Sequence, residues 1–96
     1  MILEVAHLDI AAGKEAAFEK GYQAARPLFL RAKGCTGVEL KRSLEKPQSY
    51  RLFVQWETLE DHTVTFRNSA DFQEWRRLVQ DNFAAPPNVE HLETVG

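Results

Sequence analysis

The sequence predicts an α+β fold of the ferredoxin-like kind, βαββαβ, in which a four-stranded antiparallel sheet carries two helices on one face. Three observations predict it. The spacing of apolar residues switches from every second residue to every third or fourth, and back, in that order along the chain. Lys46-Pro47-Gln48-Ser49 is a turn between two strand-like runs and marks a hairpin. Pro86-Pro87 stops the second helical region just ahead of a last strand-like run. Ninety-six residues make one domain, 1–96, without a repeat, linker or low-complexity tract.

Residues 2–10, ILEVAHLDI, are rich in β-branched and aliphatic types and read as the first strand. Ala11-Ala12-Gly13 breaks the pattern. From Lys14, Phe18, Tyr22, Ala25, Leu28 and Phe29 recur at helical spacing, so an amphipathic helix follows. Pro27 falls inside it and predicts either a kink or separate last turns, and Gly34 supplies a stop. Residues 35–43 alternate, with Val38, Leu40 and Arg42 on one face and Glu39, Lys41 and Ser43 on the other. A loop near 44–49 joins them to YRLFVQWE, residues 50–57, the third strand. Thr58 is placed to cap a helix whose first turn holds Glu60 and Asp61, where the helix dipole favours acids. Asn68 or Ser69 offers a second cap, with Asp71 after it. Two helical pieces result, roughly 59–66 and 70–82, and NVEHLETV, residues 88–95, forms the last strand. The first and last strands are expected to flank different inner strands, so that His7 and His91 need not touch.

Charge and cysteine content exclude several classes of partner. Twelve basic and fourteen acidic residues leave a net charge of −2, which offers no argument for nucleic acid or an acidic membrane surface. Apolar runs such as Leu52-Phe53-Val54 are far too short to span a bilayer. MILEVAHLD has neither a basic n-region nor a cleavage-site pattern, so no signal peptide is read and a reducing, cytoplasmic setting is expected. Cys35, the only cysteine, can form no internal disulfide or thiolate cluster. Bulk on both sheet faces points to a partner. Leu3 and Val5 oppose Ile2, Ala6, Leu8 and Ile10 in the first strand, and Phe53 opposes Tyr50, Leu52, Val54 and Trp56 in the third. A homodimer that buries sheet against sheet would cover the second face.

YRLFVQWETLEDH leading out of the third strand, FRNSADFQEWRRLV in the second helix and PPNVEHLE entering the last strand together resemble the antibiotic biosynthesis monooxygenase family, over nearly the whole chain. The resemblance implies a dimeric α+β barrel. It also implies a choice of chemistries. Some members oxidise anthrones or quinols with molecular oxygen and no flavin, metal or haem; others degrade haem. The haem-degrading branch carries an asparagine in the first strand, a tryptophan early in the second helical region and a histidine ligand further on. Those positions fall on His7, Phe66 and Arg76, and none matches; Trp75 lies beside the ligand position, not on it.

Cofactor-free oxygenation asks for an apolar, aromatic pocket, a base for a phenolic proton and donors for the resulting anion. The candidate bases are His7, among aliphatics in the first strand, and His91, in the last strand on the face of Val89, Glu93 and Val95. Each has a plainer reading: a hydrogen-bonded structural histidine for His7, and a bridge between strand and helix for His91. His62 stands on the first short helical turn, partly exposed, with local capping as its plainer role. Phe66 sits at the junction of the helical pieces and is the better pocket aromatic. Trp56 and Trp75 read first as core, and Phe72, Trp75, Val79 and Phe83 form one stripe meant for the sheet. Arg76, near the same junction as Arg67, can lean toward a ligand, and Tyr22 can offer a phenol from the first helix. The candidate substrate contacts are thus Tyr22, His62, Phe66, Trp75 and Arg76. No histidine pair has metal-ligand spacing and no phosphate loop or dinucleotide fingerprint occurs, so no metal or cofactor is expected. The reading is a homodimeric cofactor-independent monooxygenase of a phenol, quinol or polyketide-like aromatic. The alternatives are a non-catalytic ligand-binding or stress-response module of the same fold and, less well matched, a haem-degrading enzyme.

Overall fold

The computed structural model describes residues 1–96. Strand β1 (Ile2–Asp9) leads into helix α1 (Glu15–Leu30), then β2 (Cys35–Arg42) and β3 (Ser49–Trp56). A π-helical segment, Asp61–Phe66, precedes helix α2 (Ala70–Val79), a 3₁₀ turn at Gln80–Asn82 and strand β4 (Asn88–Leu92). This is the expected ferredoxin-like α+β arrangement. The strands lie in the order β2-β3-β1-β4, all neighbours antiparallel.

Strand alternation sorts the sheet into two faces. Glu4, Ala6 and Leu8 of β1 join Tyr50, Leu52, Val54 and Trp56 of β3 on the buried face beneath the helices. From α1, Phe18, Tyr22, Ala25 and Phe29, spaced by three or four residues, complete the core. Phe29 meets Trp75 of α2 edge to face, with ring centroids 5.1 Å apart, which ties the two helices together above the sheet.

Three expectations are corrected. Of the two outcomes expected at Pro27, separate last turns do not occur: α1 continues through Pro27 to Leu30, because a proline so near the C-terminal end removes a single N–H from the ladder. β4 lies directly beside β1, with Glu4 opposite His91 and His7 opposite Asn88. It ends at Leu92 rather than residue 95, since its partner β1 has begun by Leu3 and offers almost nothing further to pair with.

Caps hold the crossover from β3 to α2. The Thr58 hydroxyl accepts from the Asp61 N–H at 3.1 Å, and Ser69 Oγ accepts from the Phe72 N–H at 3.1 Å. Asp61 in turn sits against Gly34, whose φ is +80°. A β-carbon at Gly34 would stand 2.0 Å from Asp61 Oδ2, so both the backbone and the neighbour demand glycine there. Gly13 has a similar φ of +86° but open space around it. Gly34→Ala should therefore lower stability by about 2–4 kcal/mol, against about 1–2 kcal/mol for Gly13→Ala, as read from urea midpoints. Equal costs would show that Asp61 imposes no steric limit.

Candidate functional site

Between the buried sheet face and α2 lies a cavity of about 260 Å³. Its floor is Ala6, Leu8, Leu52 and Val89; its wall is Phe72, Trp75, Val79 and Phe83. The wall is the helical stripe of the sequence, which leaves room above the sheet where the floor carries only small and medium side chains. Glu4 and His62 are the titratable groups in this lining, and Arg67 and Arg76 its permanent cations.

The π-helical segment sets the position of His62. The Arg67 N–H donates to the His62 carbonyl at 3.1 Å, five residues back instead of four. The widened turn carries His62 inward, to 3% exposure, so the expectation of a partly exposed histidine is corrected. Its ring stacks on Trp56 with a 5.2 Å centroid separation and a 15° interplanar angle.

Four side chains then form a continuous polar path through the apolar layer. Trp56 Nε1–H donates to Glu4 Oε1 at 3.0 Å. His62 Nε2 stands 3.3 Å from the same oxygen, and His62 Nδ1 shares a proton with His91 Nε2 at 2.7 Å. Burial raises the Glu4 carboxyl from 4.5 to about 7, and the Trp56 bond and the Arg67 charge offset this only in part. Burial, with the positive fields of His91 and Arg67, lowers His62 from 6.5 to about 4. His91 is lowered for the same first reason, burial, and then by Arg67. Short as the Glu4–His62 contact is, desolvation thus favours a neutral acid beside a neutral imidazole between about pH 4 and 7 rather than an ion pair.

Two histidines and a carboxylate are also the composition of a metal-binding triad, but the geometry is linear. His62 offers opposite ring nitrogens to its two neighbours, so the three groups do not converge on a point, and no cluster of metal-ligating side chains occurs elsewhere. What a linear chain can do is move a proton. The His62–His91 link is a hydrogen bond, whereas Glu4 stands in contact with His62 Nε2 at 3.3 Å without hydrogen-bond alignment; a small rotation that aligned them would let a switch of the His62 tautomer pass a proton from the Glu4 side to the His91 side.

The candidate residues of the sequence are distributed as follows. His62, Trp75 and Arg76 line the cavity. His91 stands behind His62, bridging β4 to the π segment. Phe66 and Tyr22 are buried in the core, Phe66 against Phe29, Trp56 and Phe72, and neither lines the cavity. His7 is displaced from its expected place in the pocket. One residue out of phase with Ala6 and Leu8, it projects from the opposite face of the sheet, 39% exposed, with Glu90 at 3.8 Å. Glu4 was not among the candidates. Its signal is parity: in ILEVAHLDI it is the one charged residue on the face of Ile2, Ala6, Leu8 and Ile10.

The opposite shifts of Glu4 and His62 predict opposite pH dependences of stability. Glu4, raised from 4.5 to about 7, contributes stability that is full below pH 4.5 and lost as pH rises through 7. His62, lowered from 6.5 to about 4, contributes stability that is full above pH 6.5 and lost as pH falls through 4. Between pH 5 and 7 the Tm of Glu4→Gln should rise and that of His62→Gln should fall, each by on the order of 1 kcal/mol, or roughly 4–8 °C for a domain of this size. The unsubstituted protein should be flatter than either. Parallel slopes in the two variants would contradict the assignment.

Comparison with known proteins agrees with this architecture. Residues 1–78 match the family model described as antibiotic biosynthesis monooxygenase. The chain is 40% identical over 95 residues to "Uncharacterized protein YczJ" of Bacillus subtilis (strain 168), covering 99% of this chain and all of that one. A crystal structure from Bordetella bronchiseptica, described as a "putative antibiotic biosynthesis monooxygenase", is 56% identical with a TM-score of 0.95, covering 98% of this chain and 96% of its own. SnoaB of Streptomyces nogalater, described as a cofactor-independent oxygenase, shares the fold at a TM-score of 0.83 and 16% identity, over 97% of this chain and 91% of its own. With four-fifths of its length matched by the family model, the chain belongs to the antibiotic biosynthesis monooxygenase family.

Proposed function

We propose that this protein is a cofactor-independent monooxygenase of a small phenol or quinol, with Glu4 as the base. One observation carries the reading: a carboxyl group whose pKa burial raises to about 7 opens into a cavity whose body is made of apolar and aromatic side chains, with His62, Arg67 and Arg76 as its other titratable or charged groups. A base poised near neutral pH is what deprotonation of a phenol, with a pKa near 10, requires. Membership of a family whose fold includes the oxygenase SnoaB supports the same class of chemistry.

In this reading the Glu4 carboxylate, which lines the cavity, takes the phenolic proton. The electron-rich anion passes an electron to O₂, and the resulting pair combines at a ring carbon to form a C–O bond. Loss of water from the peroxide leaves a carbonyl. A phenol unsubstituted at that carbon thus becomes a quinone: one oxygen atom enters the ring, the other leaves as water, and the substrate supplies all four electrons. The water needs a proton returned to the departing oxygen, which Glu4 can give back. The phenolic proton and the displaced ring proton both end in the water, so Glu4 returns to its starting state with no net proton released.

Oxygen consumption with a panel of mono- and bicyclic quinols tests this. Glu4→Gln should lower kcat/KM by about 10²–10⁴-fold and abolish an acid limb centred near pH 7, whereas His7→Gln, on the other sheet face, should leave the position of that limb unchanged. Quinol binding without oxygen consumption would assign the protein instead as a ligand-binding module.

The functional unit is proposed to be a homodimer through the helix-free face of the sheet. Leu3, Val5 and Phe53 lie together on this face, with Leu92 of β4 45% exposed beside them. Sedimentation at micromolar concentration should give a dimer, and an interface of about 1,200 Å² or more is expected. A monomer would remove this part of the proposal.

A further inference from the structure

We infer that the ligand of the cavity is an aromatic acid: one or two fused rings carrying a hydroxyl group at the Glu4 end and a carboxylate held by Arg67 and Arg76. The inference rests on the reading of the cavity as the substrate site and specifies what that site selects.

The arginines differ in their partners. Arg31 forms a two-bond pair with Asp71, Arg77 one with Glu74, and Arg42 lies 3.5 Å from Glu19. Arg26, Arg51, Arg67 and Arg76 have no carboxylate within 4.0 Å; Arg51 bonds Ser49 and the Tyr50 carbonyl instead, and of the four only Arg67 and Arg76 line the cavity. The lining contains a single carboxyl, Glu4, which is buried and already accepts a bond from Trp56. Two unneutralised guanidinium groups at the rim of an apolar pocket fit an anionic group, for which arginine's planar fork is well suited. Arg67 is held in place by the π turn through its own N–H, and its charge reaches Glu4, His62 and His91.

Size and walls restrict the rest of the molecule. About 260 Å³ lies just below the usual range of small-molecule sites, roughly 300–1,000 Å³, and suits one or two rings better than three or four. Phe72, Trp75 and Phe83 face Leu8 and Leu52 across the cavity and make its body apolar and suited to a flat ring. A sugar phosphate or an aliphatic acid would satisfy the arginines and leave these walls without a partner.

Isothermal titration under nitrogen separates the possibilities, because it reads binding without turnover. The probes are 6-hydroxy-2-naphthoate and its neutral analogue 6-hydroxy-2-naphthamide, which share ring and hydroxyl. The acid should bind about 10- to 100-fold more tightly than the amide at low salt, with the advantage shrinking as NaCl is added. The double variant R67Q/R76Q should lose that advantage while binding the amide as before. Amide binding thereby confirms that the variant is folded and its cavity intact. Equal affinity for the two probes, or a preference for the acid that survives in the double variant, would overturn the inference and leave the oxygenase reading standing. Failure of both probes to bind would overturn both, since the cavity would not be a site for hydroxylated aromatics.

Discussion

A carboxyl group on the apolar face of a central strand has to be accommodated, and much of the local structure follows from that one requirement. Glu4 is 4% exposed, beneath the helices and between two strands. Leaving it ionised and unpartnered there would cost several kcal/mol. Trp56 meets part of the demand by ending β3 with an indole N–H aimed across the pair of strands. The π segment meets another part by delivering His62. His62 in turn needs a partner for its second nitrogen, and β4 provides His91 from the position opposite Glu4. Every buried side-chain nitrogen and oxygen has a partner as a result.

The arrangement pushes the two titrations in opposite directions. Desolvation acts on both groups, yet it raises an acid and lowers a base, so one low-dielectric environment leaves Glu4 and His62 neutral over the same pH interval. Groups kept uncharged next to each other are easily exchanged for their charged forms when a ligand alters the balance. That is the general logic by which one pocket holds both a proton acceptor and a proton donor near neutral pH. Arg67 sharpens it. Its positive charge lowers the proton affinity of all three groups: it opposes protonation of the two histidines and enlarges the share of Glu4 present as carboxylate.

Much of the fold was legible because each element carries a period and a boundary residue. Ser69 caps α2, and alternation in β3 sorted Phe53 from Leu52 and Val54. His62, Trp75 and Arg76, which line the cavity, stand out in the sequence as aromatic and titratable residues at a strand-to-helix junction. Glu4 is hard to recognise from sequence because a glutamate in a strand ordinarily points to water, and only the parity of its neighbours shows otherwise. His7 carries the more conspicuous chemistry in the same strand, yet a shift of one residue along a strand moves a side chain to the other face. The π turn was not legible at all, since its one extra residue per turn leaves no mark in a six-residue segment. Nor was the meeting of Glu4 with His91, which depends on the crossover that brings the end of the chain beside its beginning.

β4 is a five-residue edge strand that is hydrogen-bonded to β1 alone, and most of its side chains reach solvent. Short edge elements of this kind open at a fraction of the free energy of global unfolding. Of the residues along the polar path, only His91 comes from β4. Transient detachment of β4 would therefore remove His91 while Glu4, Trp56 and His62, anchored in β1, β3 and the π segment, stay in place. The connection from the buried carboxyl to bulk water is consequently an equilibrium property of the sheet's edge. Backbone amide exchange in residues 88–92 would report how much of the time that connection exists, independently of the stability of the core.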